Sequence, residues 1–460
     1  MARVRVSAVL TLAAGVVVFA AAARQSPRPL DGIWLSDGYG LMAEIGGDEM
    51  RLFEVTPISC IGSGVATRQR SAAGHPVFRM SGGPLLTLLP GASAGERRIH
   101  PPGAASDIVI RRVPAKPAAC ARETPDTPES NFDVFWTTFN AHHAFLRERG
   151  VDWAATRAKY RPQVTAATTP GDLFSVLSAM IEPLHDAHTS LRASTLVRTF
   201  HGGRAGWAPI GQDTAGQAFE IIRTKYLQGA PRSFCSGNVL YGRTRNNGAG
   251  YLRIAAFAGY AGGGFEAEAR ALAEALDAIV EDLRGLKTLV IDVRVNGGGA
   301  DPLGVMVASR LTDRRYVAFV KRARNDPEDP TRFTAPQTTW VEPAPGARFT
   351  GQVVELTSRD SISAAETFSM ALMGRTPRVV RIGEPTQGVY SDVLGRRLPN
   401  GWRFGLPNEV FLTEGGKHFE VVGVPPDVAV PVFPREDLRA GRDSALDKAL
   451  ELAVRGDKSK

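Results

Sequence analysis

The stretch KTLVIDVRVNGGGADP at residues 287–302 sets the fold class. Its first seven residues are mainly apolar and β-branched, which predicts a buried strand, and three glycines then predict a loop. Asp301-Pro302 predicts a helix start, because proline is well tolerated in the first helical turn. This alternation of strand and helix predicts an α/β fold with a largely parallel sheet. It continues on both sides, with strands at 251–257 and 352–357 and helices at 265–283 and 363–373.

The segment before this core has the pattern of helices. Phe132, Phe135 and Phe139 recur at the spacing of one helix face, and Thr169-Pro170 predicts the cap and first turn of a second helix. Short apolar runs separated by glycine and proline predict a small β domain still earlier in the chain. The predicted organisation is a signal peptide at 1–23, a β domain at 29–113, a linker at 114–130, a helical segment at 131–195, an α/β core at 196–436 and a C-terminal helix or tail at 437–460.

The N-terminus predicts export. Arg3 and Arg5 precede an apolar run at 6–20, and Ala21-Ala-Ala23 supplies the small residues that a signal peptidase needs. We therefore expect cleavage near Arg24 and a periplasmic or secreted protein without lasting membrane contact. The alternative is an uncleaved membrane anchor, which the shortness of the apolar run disfavours.

Charge and cysteine content limit the partners and cross-links of the chain. The formal net charge is +8 over 460 residues. Its basic residues are dispersed along the chain, so nucleic-acid binding is not expected. In an exported protein Cys60 and Cys120 are the expected disulfide pair, although either one can instead pair with Cys235.

Ser363 stands where a predicted strand passes into a predicted helix, in the stretch TSRDSISAAETF at 357–368. Backbone N–H groups at a helix N-terminus lack partners within the helix, and the helix dipole is positive there. Such donors can stabilise an oxyanion beside a serine nucleophile. The alternative is structural, since Ser363 and Glu366 also fit an S-x-x-E capping box.

The glycine loop Asn296-Gly-Gly-Gly299 directly follows the buried strand. A phosphate loop would continue with Lys and Ser or Thr, whereas Ala300-Asp301-Pro302 follows here and its carboxylate would repel phosphate. An oxyanion-stabilising turn fits better, and an ordinary tight turn is the alternative.

His188 lies just after the second predicted helix, three residues beyond His185. Two imidazoles at this spacing could bind a metal, but no H-E-x-x-H motif or third ligand pattern accompanies them. A structural histidine is the other reading.

A second serine motif, Gly91-Ala-Ser-Ala-Gly95, matches the pattern G-x-S-x-G. A nucleophile elbow needs a strand before it and a helix after it. Pro90 precedes this motif and Glu96-Arg-Arg98 follows it, so we interpret it as a loop.

Taken together, these segments resemble the tail-specific, or C-terminal-processing, serine peptidase family, and in particular its tricorn-like branch. The resemblance covers roughly residues 131–433 and implies a crotonase-like α/β core with an added helical segment. The matching stretches, in chain order, are LHDAHTSL at 184–191, LVIDVRVNGGG at 289–299, SAAE at 363–366, IGEPTQG at 382–388, LPNGW at 398–402 and EVVGVPPD at 420–427.

The resemblance also implies roles for individual residues. Ser363 would be the nucleophile, His188 its general base, and Glu420 the carboxylate that orients the histidine. The N–H groups of Gly298 and Ala364 would form the oxyanion hole, with Gly297 as the alternative to Gly298. Glu420 would also raise the pKa of His188 above its ordinary value of about 6.5.

Three features of the sequence depart from the family pattern. One branch uses a Ser-Lys dyad, but Val389 stands where its lysine would be and no lysine occurs between Lys321 and Lys417, which excludes that mechanism. Many members carry a PDZ module, and the stretch at 191–250 is too short to hold one. Ala187 stands where the tricorn-like branch can have a serine.

The implied activity is hydrolysis of a peptide or protein substrate through an acyl-enzyme, without a metal or other cofactor. Two alternatives remain: a non-catalytic ligand- or peptide-binding protein on the same fold, and an esterase of small substrates. The sequence does not set the oligomeric state.

Overall fold

The structure, a computed structural model, describes residues 29–70, 74–245 and 248–458. The predicted signal peptide at 1–23 lies outside the described residues. Among those described, no helix has both the length and the apolar character needed to cross a membrane.

The N-terminal β domain expected from the sequence is a closed, eight-stranded antiparallel barrel. Its strands are β1 (Gly32–Ser36), β2 (Leu41–Gly46), β3 (Glu49–Thr56), β4 (Ser59–Gln69), β5 (Val77–Met80), β6 (Leu85–Pro90), β7 (Glu96–His100) and β8 (Ile108–Val113). Each strand pairs with its successor, and β8 closes the barrel against β1. Trp34, Met50, Phe78 and Ile110 fill the interior. The motif at 91–95 is the turn between β6 and β7, so no helix follows Ser93.

The predicted disulfide between Cys60 and Cys120 is present and ties strand β4 to the chain that follows the barrel. Cys235 is a buried free cysteine. The linker is therefore anchored at its middle rather than only at its ends.

Three helices follow: α1 (Pro128–His142), α2 (Trp153–Tyr160) and α3 (Pro170–Ile181). The predicted stripe on α1 is its core face, since Phe132, Phe135 and Phe139 are fully buried. Thr169 caps α3 by accepting a hydrogen bond from the N–H of Asp172, as its sequence predicts. The chain then passes through a 3-10 turn to His188.

The rest of the chain alternates strands and helices. The strands are β9 (Ser190–Ala193), β10 (Arg198–His201), β11 (Arg232–Phe234), β12 (Val239–Arg243), β13 (Gly250–Ile254), β14 (Thr288–Asp292), β15 (Val295–Asn296), β16 (Tyr316–Ala323), β17 (Gln337–Val341), β18 (Gln352–Thr357), β19 (Asp360–Ser361), β20 (Val380–Gly383), β21 (Val393–Arg397), β22 (Arg403–Pro407), β23 (Glu409–Leu412) and β24 (Val428–Ala429). The helices are α4 (Gln212–Ile221), α5 (Phe265–Asp282), α6 (Asp301–Ser309), α7 (Ala364–Ala371), α8 (Arg435–Ala440) and α9 (Ser444–Lys458).

The central sheet has seven strands in the order β11-β12-β13-β14-β18-β20-β24, and from β13 to β24 neighbouring strands are parallel. Every residue of β14 is buried, because helices cover both faces of the sheet. Leu289 and Ile291 pack with α5, α6 and α7, whereas Val290 faces α9. The predicted α/β fold with a largely parallel sheet is confirmed.

Parallel pairing brings the two loops of interest together. Strands β14 and β18 are neighbours, so the loops at their carboxyl ends leave the same edge of the sheet. Immediately beyond them β15 pairs with β19, with Asn296 opposite Ser361. The glycine loop and Ser363 therefore lie next to each other.

Two smaller sheets complete the core. One has the order β10-β9-β22-β21 and packs on the helical segment, where Leu191 and Phe404 join the aromatic residues of α1. The other has the order β17-β16-β23. The first sheet fixes the strand that leaves His188, and the second carries Lys321 and Glu409.

Candidate active site

Ser363 is the residue that immediately precedes α7, and its backbone is unusual. Its φ is 58° and its ψ is −116°, a combination that side-chain-bearing residues rarely adopt. Its N–H donates to Glu366 Oε2 at 3.2 Å, and its carbonyl accepts from the N–H of Glu366 at 2.7 Å. The sharp turn places a half-exposed serine at the N-terminus of a buried helix.

Glu366 is fully buried and connects the loop at 386–389 to the serine through hydrogen bonds. Besides the bond from Ser363, its carboxylate accepts from Thr386 Oγ1 at 2.6 Å and from the N–H groups of Gly388 and Val389 at 2.7 and 2.9 Å. Burial raises the pKa of Glu366 to about 7, while these hydrogen bonds oppose the rise. The Glu366 half of the predicted capping box is thus formed, and the same carboxylate fixes the loop at 386–389.

The glycine loop approaches Ser363 so closely that a side chain would not fit. A Cβ at Gly298, whose φ is 88°, would lie 2.8 Å from the Cβ of Ser363 and 2.9 Å from the carbonyl oxygen of Ile362. Glycine is required here on both steric and conformational grounds.

The three predicted oxyanion donors differ in what they already bind. The N–H of Gly298 donates to Asn296 Oδ1 at 2.9 Å, and its carbonyl accepts from Phe257 at 2.7 Å. Within the described part of the chain, the N–H groups of Gly297 and Ala364 have no hydrogen-bond partner. The structure therefore leaves Gly297 and Ala364 available, whereas Gly298 serves to shape the loop.

His188 is half-buried, with its N–H held by Asp186 Oδ1 at 2.8 Å. Its ring Nδ1 is buried and has no hydrogen-bond partner among the described residues. Burial lowers the pKa of His188, while the carboxylates of Asp186 and Asp392 and the carbonyl of Ser391 act to raise it. The upward shift expected from the sequence is thus reversed, because desolvation of the imidazolium outweighs the nearby carboxylates.

Glu420 is buried, and its carboxylate is held by Arg149 and by the backbone of Tyr390. Its Oε1 lies 3.0 Å from Arg149 Nη2, and its Oε2 accepts from the N–H of Tyr390 at 3.0 Å. Burial and the nearby Asp186 carboxylate raise its pKa well above the ordinary value, and Arg149 opposes them. In the described residues no hydrogen bond joins His188 to Ser363 or to Glu420, so the three residues do not form a bonded triad.

Arg149 connects Glu420 to the segment that carries the histidine, and no sequence pattern indicated this role. Its Nη2 is also 2.9 Å from Asp186 Oδ2, so one guanidinium bridges two buried carboxylates. Its Nη1 donates to the carbonyls of Leu184 and His185 at 3.0 and 3.1 Å. Arg149, Asp186 and Glu420 therefore hold the turn on which His188 sits.

Asp392 is a second carboxylate that acts on His188, and it too was missed. Its Oδ2 lies 2.6 Å from Lys321 Nζ, and its N–H donates to Glu409 Oε2 at 3.1 Å. Lys321 is buried and also pairs with Glu409 at 3.1 Å, and Tyr39 of the barrel donates its hydroxyl to Glu409 Oε1 at 2.7 Å. Asp392 is thus fixed near the imidazole by a buried lysine.

A cavity of about 250 Å³ opens beside Arg149 and Val389. Ala187 and Arg204 also line it. Arg204 donates to the carbonyl of Gln387 at 2.9 Å and stacks on Trp207 with its guanidinium 3.8 Å from the ring centre. The loop that Glu366 fixes thus forms one wall of this cavity.

The alternative of a metal site concerns His185 and His188. His185 is exposed, with φ 49°, while His188 is half-buried. Over the described ranges, no group of three or more His, Cys, Asp or Glu side chains is arranged to hold a metal ion.

Comparison with known proteins gives two family matches. Residues 248–430 match the model of peptidase family S41, and residues 124–182 match the C1 domain of tricorn protease. Tricorn protease homolog 1 of Streptomyces coelicolor is 34% identical over 173 residues, which cover 36% of this chain and 14% of that protein. The match therefore spans a small part of that much longer relative.

Solved structures share the fold. A candidate peptidase from Parabacteroides merdae aligns with a TM-score of 0.62 at 24% identity, covering 73% of this chain and all of that one. Mature CPAF complexed with lactacystin aligns with a TM-score of 0.53 at 14% identity, covering 72% of this chain and 98% of that one.

Proposed function

Because residues 248–430 match the model of peptidase family S41, we propose that this chain is a serine peptidase of that family, which cleaves peptide bonds through an acyl-enzyme on Ser363. This proposal rests mainly on one observation: Ser363 lies at a helix N-terminus with a strained backbone, and the N–H groups of Ala364 and Gly297 are unpaired in the part of the chain that the structure describes. A capping serine alone would need neither the strained backbone nor the second donor from another loop. We further propose that the core is crotonase-like, as the family resemblance implies.

In the proposed reaction Ser363 Oγ attacks the carbonyl carbon of the scissile peptide bond. The N–H groups of Ala364 and Gly297 would stabilise the oxyanion of the tetrahedral intermediate. Both are unpaired among the described residues; Ala364 directly follows the serine, and Gly297 precedes Gly298, which packs against the serine. Collapse of the intermediate releases the amine and leaves an ester on the serine. Water then hydrolyses that ester and frees the second product.

His188 is proposed as the general base that takes the serine proton and passes it to the leaving amine. Its lowered pKa keeps the imidazole neutral, which is the form that accepts a proton. Lys321 is unsuited to this role, because it is buried in ion pairs with Asp392 and Glu409. Val389, where the dyad branch has its lysine, supplies no base.

Glu420 is proposed to act on His188 indirectly. Its contacts run through Arg149 to Asp186, which holds the N–H of His188. This replaces the direct carboxylate–imidazole contact that the resemblance implies, and Ala187 offers no hydroxyl to bridge the gap. Glu420 is therefore a positioning residue for the turn that carries the base.

The substrate is proposed to be a peptide or protein, and the compartment to be outside the cytoplasm. The second proposal rests on the signal-like sequence at 1–23 and agrees with the Cys60–Cys120 disulfide. N-terminal sequencing of the protein recovered from the periplasm or medium tests it, and an intact Met1 would contradict it.

A fluorophosphonate probe that labels activated serines, followed by peptide mapping, tests the nucleophile. We expect one labelled peptide, containing Ser363, and no label in Ser363→Ala. Ser93→Ala is the matched control, since that serine sits in a barrel turn and its loss should leave labelling unchanged. Label at another serine, or none in the folded protein, contradicts the assignment.

Substrate class is tested on the unlabelled, active enzyme. Cleavage of an internally quenched peptide library that disappears in Ser363→Ala supports a peptidase. Hydrolysis of p-nitrophenyl acetate without peptide cleavage would instead support the esterase. Peptide binding with no turnover of either substrate would support a binding protein.

A further inference from the structure

A second and larger cavity lies away from Ser363, between the helical segment and the sheet that contains β16. Its volume is about 730 Å³, within the range of sites that enclose a drug-sized ligand. It shares only Glu148 with the cavity beside Arg149, and neither Ser363, His188 nor Glu420 lines it. The proposed peptidase chemistry therefore makes no use of it.

One wall of this cavity carries two arginines at alternate positions, Arg322 and Arg324, so both point to the same side of the chain. Arg324 is 4% exposed, and its Nη1 donates to the carbonyl of His143 at 2.8 Å. Its Nε is buried without a hydrogen-bond partner, as is the Nε of Arg322. Buried guanidinium groups normally have their donors satisfied, and no described residue satisfies these two Nε–H groups.

The positive charge of Arg324 is incompletely balanced. Burial lowers its pKa, and the carboxylates of Asp326, Glu148 and Asp329 only partly offset this effect. In the described residues neither Arg322 nor Arg324 forms an ion pair, and a third lining arginine, Arg147, is exposed and likewise makes none.

The carboxylates around the cavity do not fill this role. Asp152 caps α2 by accepting from the N–H of Ala155 at 2.9 Å. Glu148 and Glu328 are exposed. None of the three forms an ion pair among the described residues, and all three are exposed whereas Arg324 is buried.

The remaining walls carry aromatic side chains among aliphatic ones. Phe145 and Trp153 are buried side chains that line the cavity, and Phe333 lies under the guanidinium of Arg322, 4.3 Å from it. His418, whose ring contacts Phe145, has a buried Nδ1 without a partner in the described chain. A ligand here would present an anionic group to the arginines and an apolar body to the rings.

We propose that this cavity is a binding site for a small amphipathic carboxylate, that is, a carboxylate carried on an aromatic or aliphatic body. The carboxylate would form charge-assisted hydrogen bonds with Arg324 and Arg322, and the apolar body would pack on Phe145, Trp153 and Phe333. This site is separate from the proposed peptidase site and does not depend on it.

Titration calorimetry with three matched probes tests the charge requirement: 4-phenylbutyrate, the neutral 4-phenylbutanamide and the cationic 4-phenylbutylamine. We expect the carboxylate to bind at least about tenfold more tightly than the other two, since one charge-assisted bond is worth a factor of that order. Ser363→Ala protein should bind it equally well. Equal binding of all three probes, or no binding of the carboxylate at millimolar concentration, overturns the proposal.

Substitution locates the site. Arg322→Gln and Arg147→Gln should each weaken 4-phenylbutyrate, by about tenfold for Arg322 and less for the exposed Arg147. Arg315→Gln is the control, because Arg315 is an exposed arginine that pairs with Glu342 outside the cavity. Circular dichroism checks folding, and Arg147→Gln decides the question if Arg322→Gln is unfolded. Unchanged affinity in the folded cavity variants, or equal loss in Arg315→Gln, overturns the assignment.

Discussion

Replacing Ser363 by glycine is expected to stabilise the catalytic core while abolishing turnover. The φ of 58° and ψ of −116° at this position are accessible to glycine without a clash. A residue with a Cβ holds such a conformation at a cost of about 1–3 kcal/mol. Ser363→Ala retains that strain, and both variants retain the main-chain bonds to Glu366.

The magnitude follows from two opposing effects. Glycine gives up about 0.4–1 kcal/mol more chain entropy on folding than alanine, which subtracts from the strain relieved. Ser363→Gly should therefore be more stable than Ser363→Ala by about 0.5–2 kcal/mol. Turnover should fall by several orders of magnitude in both, since neither has a nucleophile.

A control is needed because glycine is also better than alanine as an ordinary helix cap. Thr169 caps α3 with a φ of −71°, where no such strain exists. The difference in unfolding free energy between Thr169→Gly and Thr169→Ala thus measures the ordinary preference alone.

Calorimetric and urea unfolding of the four variants, with peptide cleavage measured in parallel, completes the test. The glycine–alanine difference should be larger at Ser363 than at Thr169. If the two differences are equal, the reasoning about backbone strain is refuted. If either Ser363 variant keeps near-normal turnover, the nucleophile assignment is refuted as well.

Four further substitutions probe His188, the proposed base, and the residues around it. Arg149→Met should destabilise the protein by about 3–5 kcal/mol in urea unfolding, because it leaves the buried Asp186 and Glu420 carboxylates without their cation; a loss below 1 kcal/mol would contradict the bridging role. His188→Ala should remove nearly all peptide cleavage at every pH, and a retained rate would exclude it as the base. In the pH profile of kcat/KM the acid limb should lie below pH 6.5, since burial lowers the His188 pKa. Asp392→Asn should move that limb to still lower pH, because it removes a carboxylate that favours the imidazolium. Glu420→Gln should leave the limb in place. A shift in Glu420→Gln but not in Asp392→Asn would show that Glu420, rather than Asp392, acts on the pKa of His188.

The fold and the position of the serine were predictable because local patterns encode them. The apolar run at 287–293 predicted a buried strand, and β14 is buried at every residue. The glycines after it and the turn before α7 follow neighbouring parallel strands, so their proximity follows from sheet topology. Thr169 and the phenylalanine stripe of α1 obey helix rules that need no tertiary information.

The charged groups around His188 were not predictable in the same way. Arg149 meets Glu420 across 271 residues of chain, and Lys321 meets Asp392 across 71. No period or short motif links such positions, because only the folded core brings them together. The choice between Gly297 and Gly298 likewise depends on the Asn296 side chain, whose bond to Gly298 no spacing rule reveals.

For Glu420 the structure differs from what the family resemblance implies. It placed Glu420 beside the imidazole and expected it to raise the histidine pKa. In the structure Glu420 binds Arg149, and burial has the larger effect on His188. A desolvation effect depends on how much protein surrounds a side chain, which a linear motif does not contain.

The hydroxyl of Tyr39 connects the barrel to the charged residues near His188. This residue lies between the first two barrel strands and donates to Glu409, the partner of Lys321 and Asp392. Gln337 makes a reciprocal amide pair with Asp107 of the barrel, at 2.9 and 2.8 Å. A truncation that removed the barrel would open the Lys321 cluster to water and leave Glu409 without its phenol. The boundary at residue 113 is thus a boundary of architecture only. A protein in which the barrel was exchanged without the core would need new contacts around Lys321, Glu409 and Asp392.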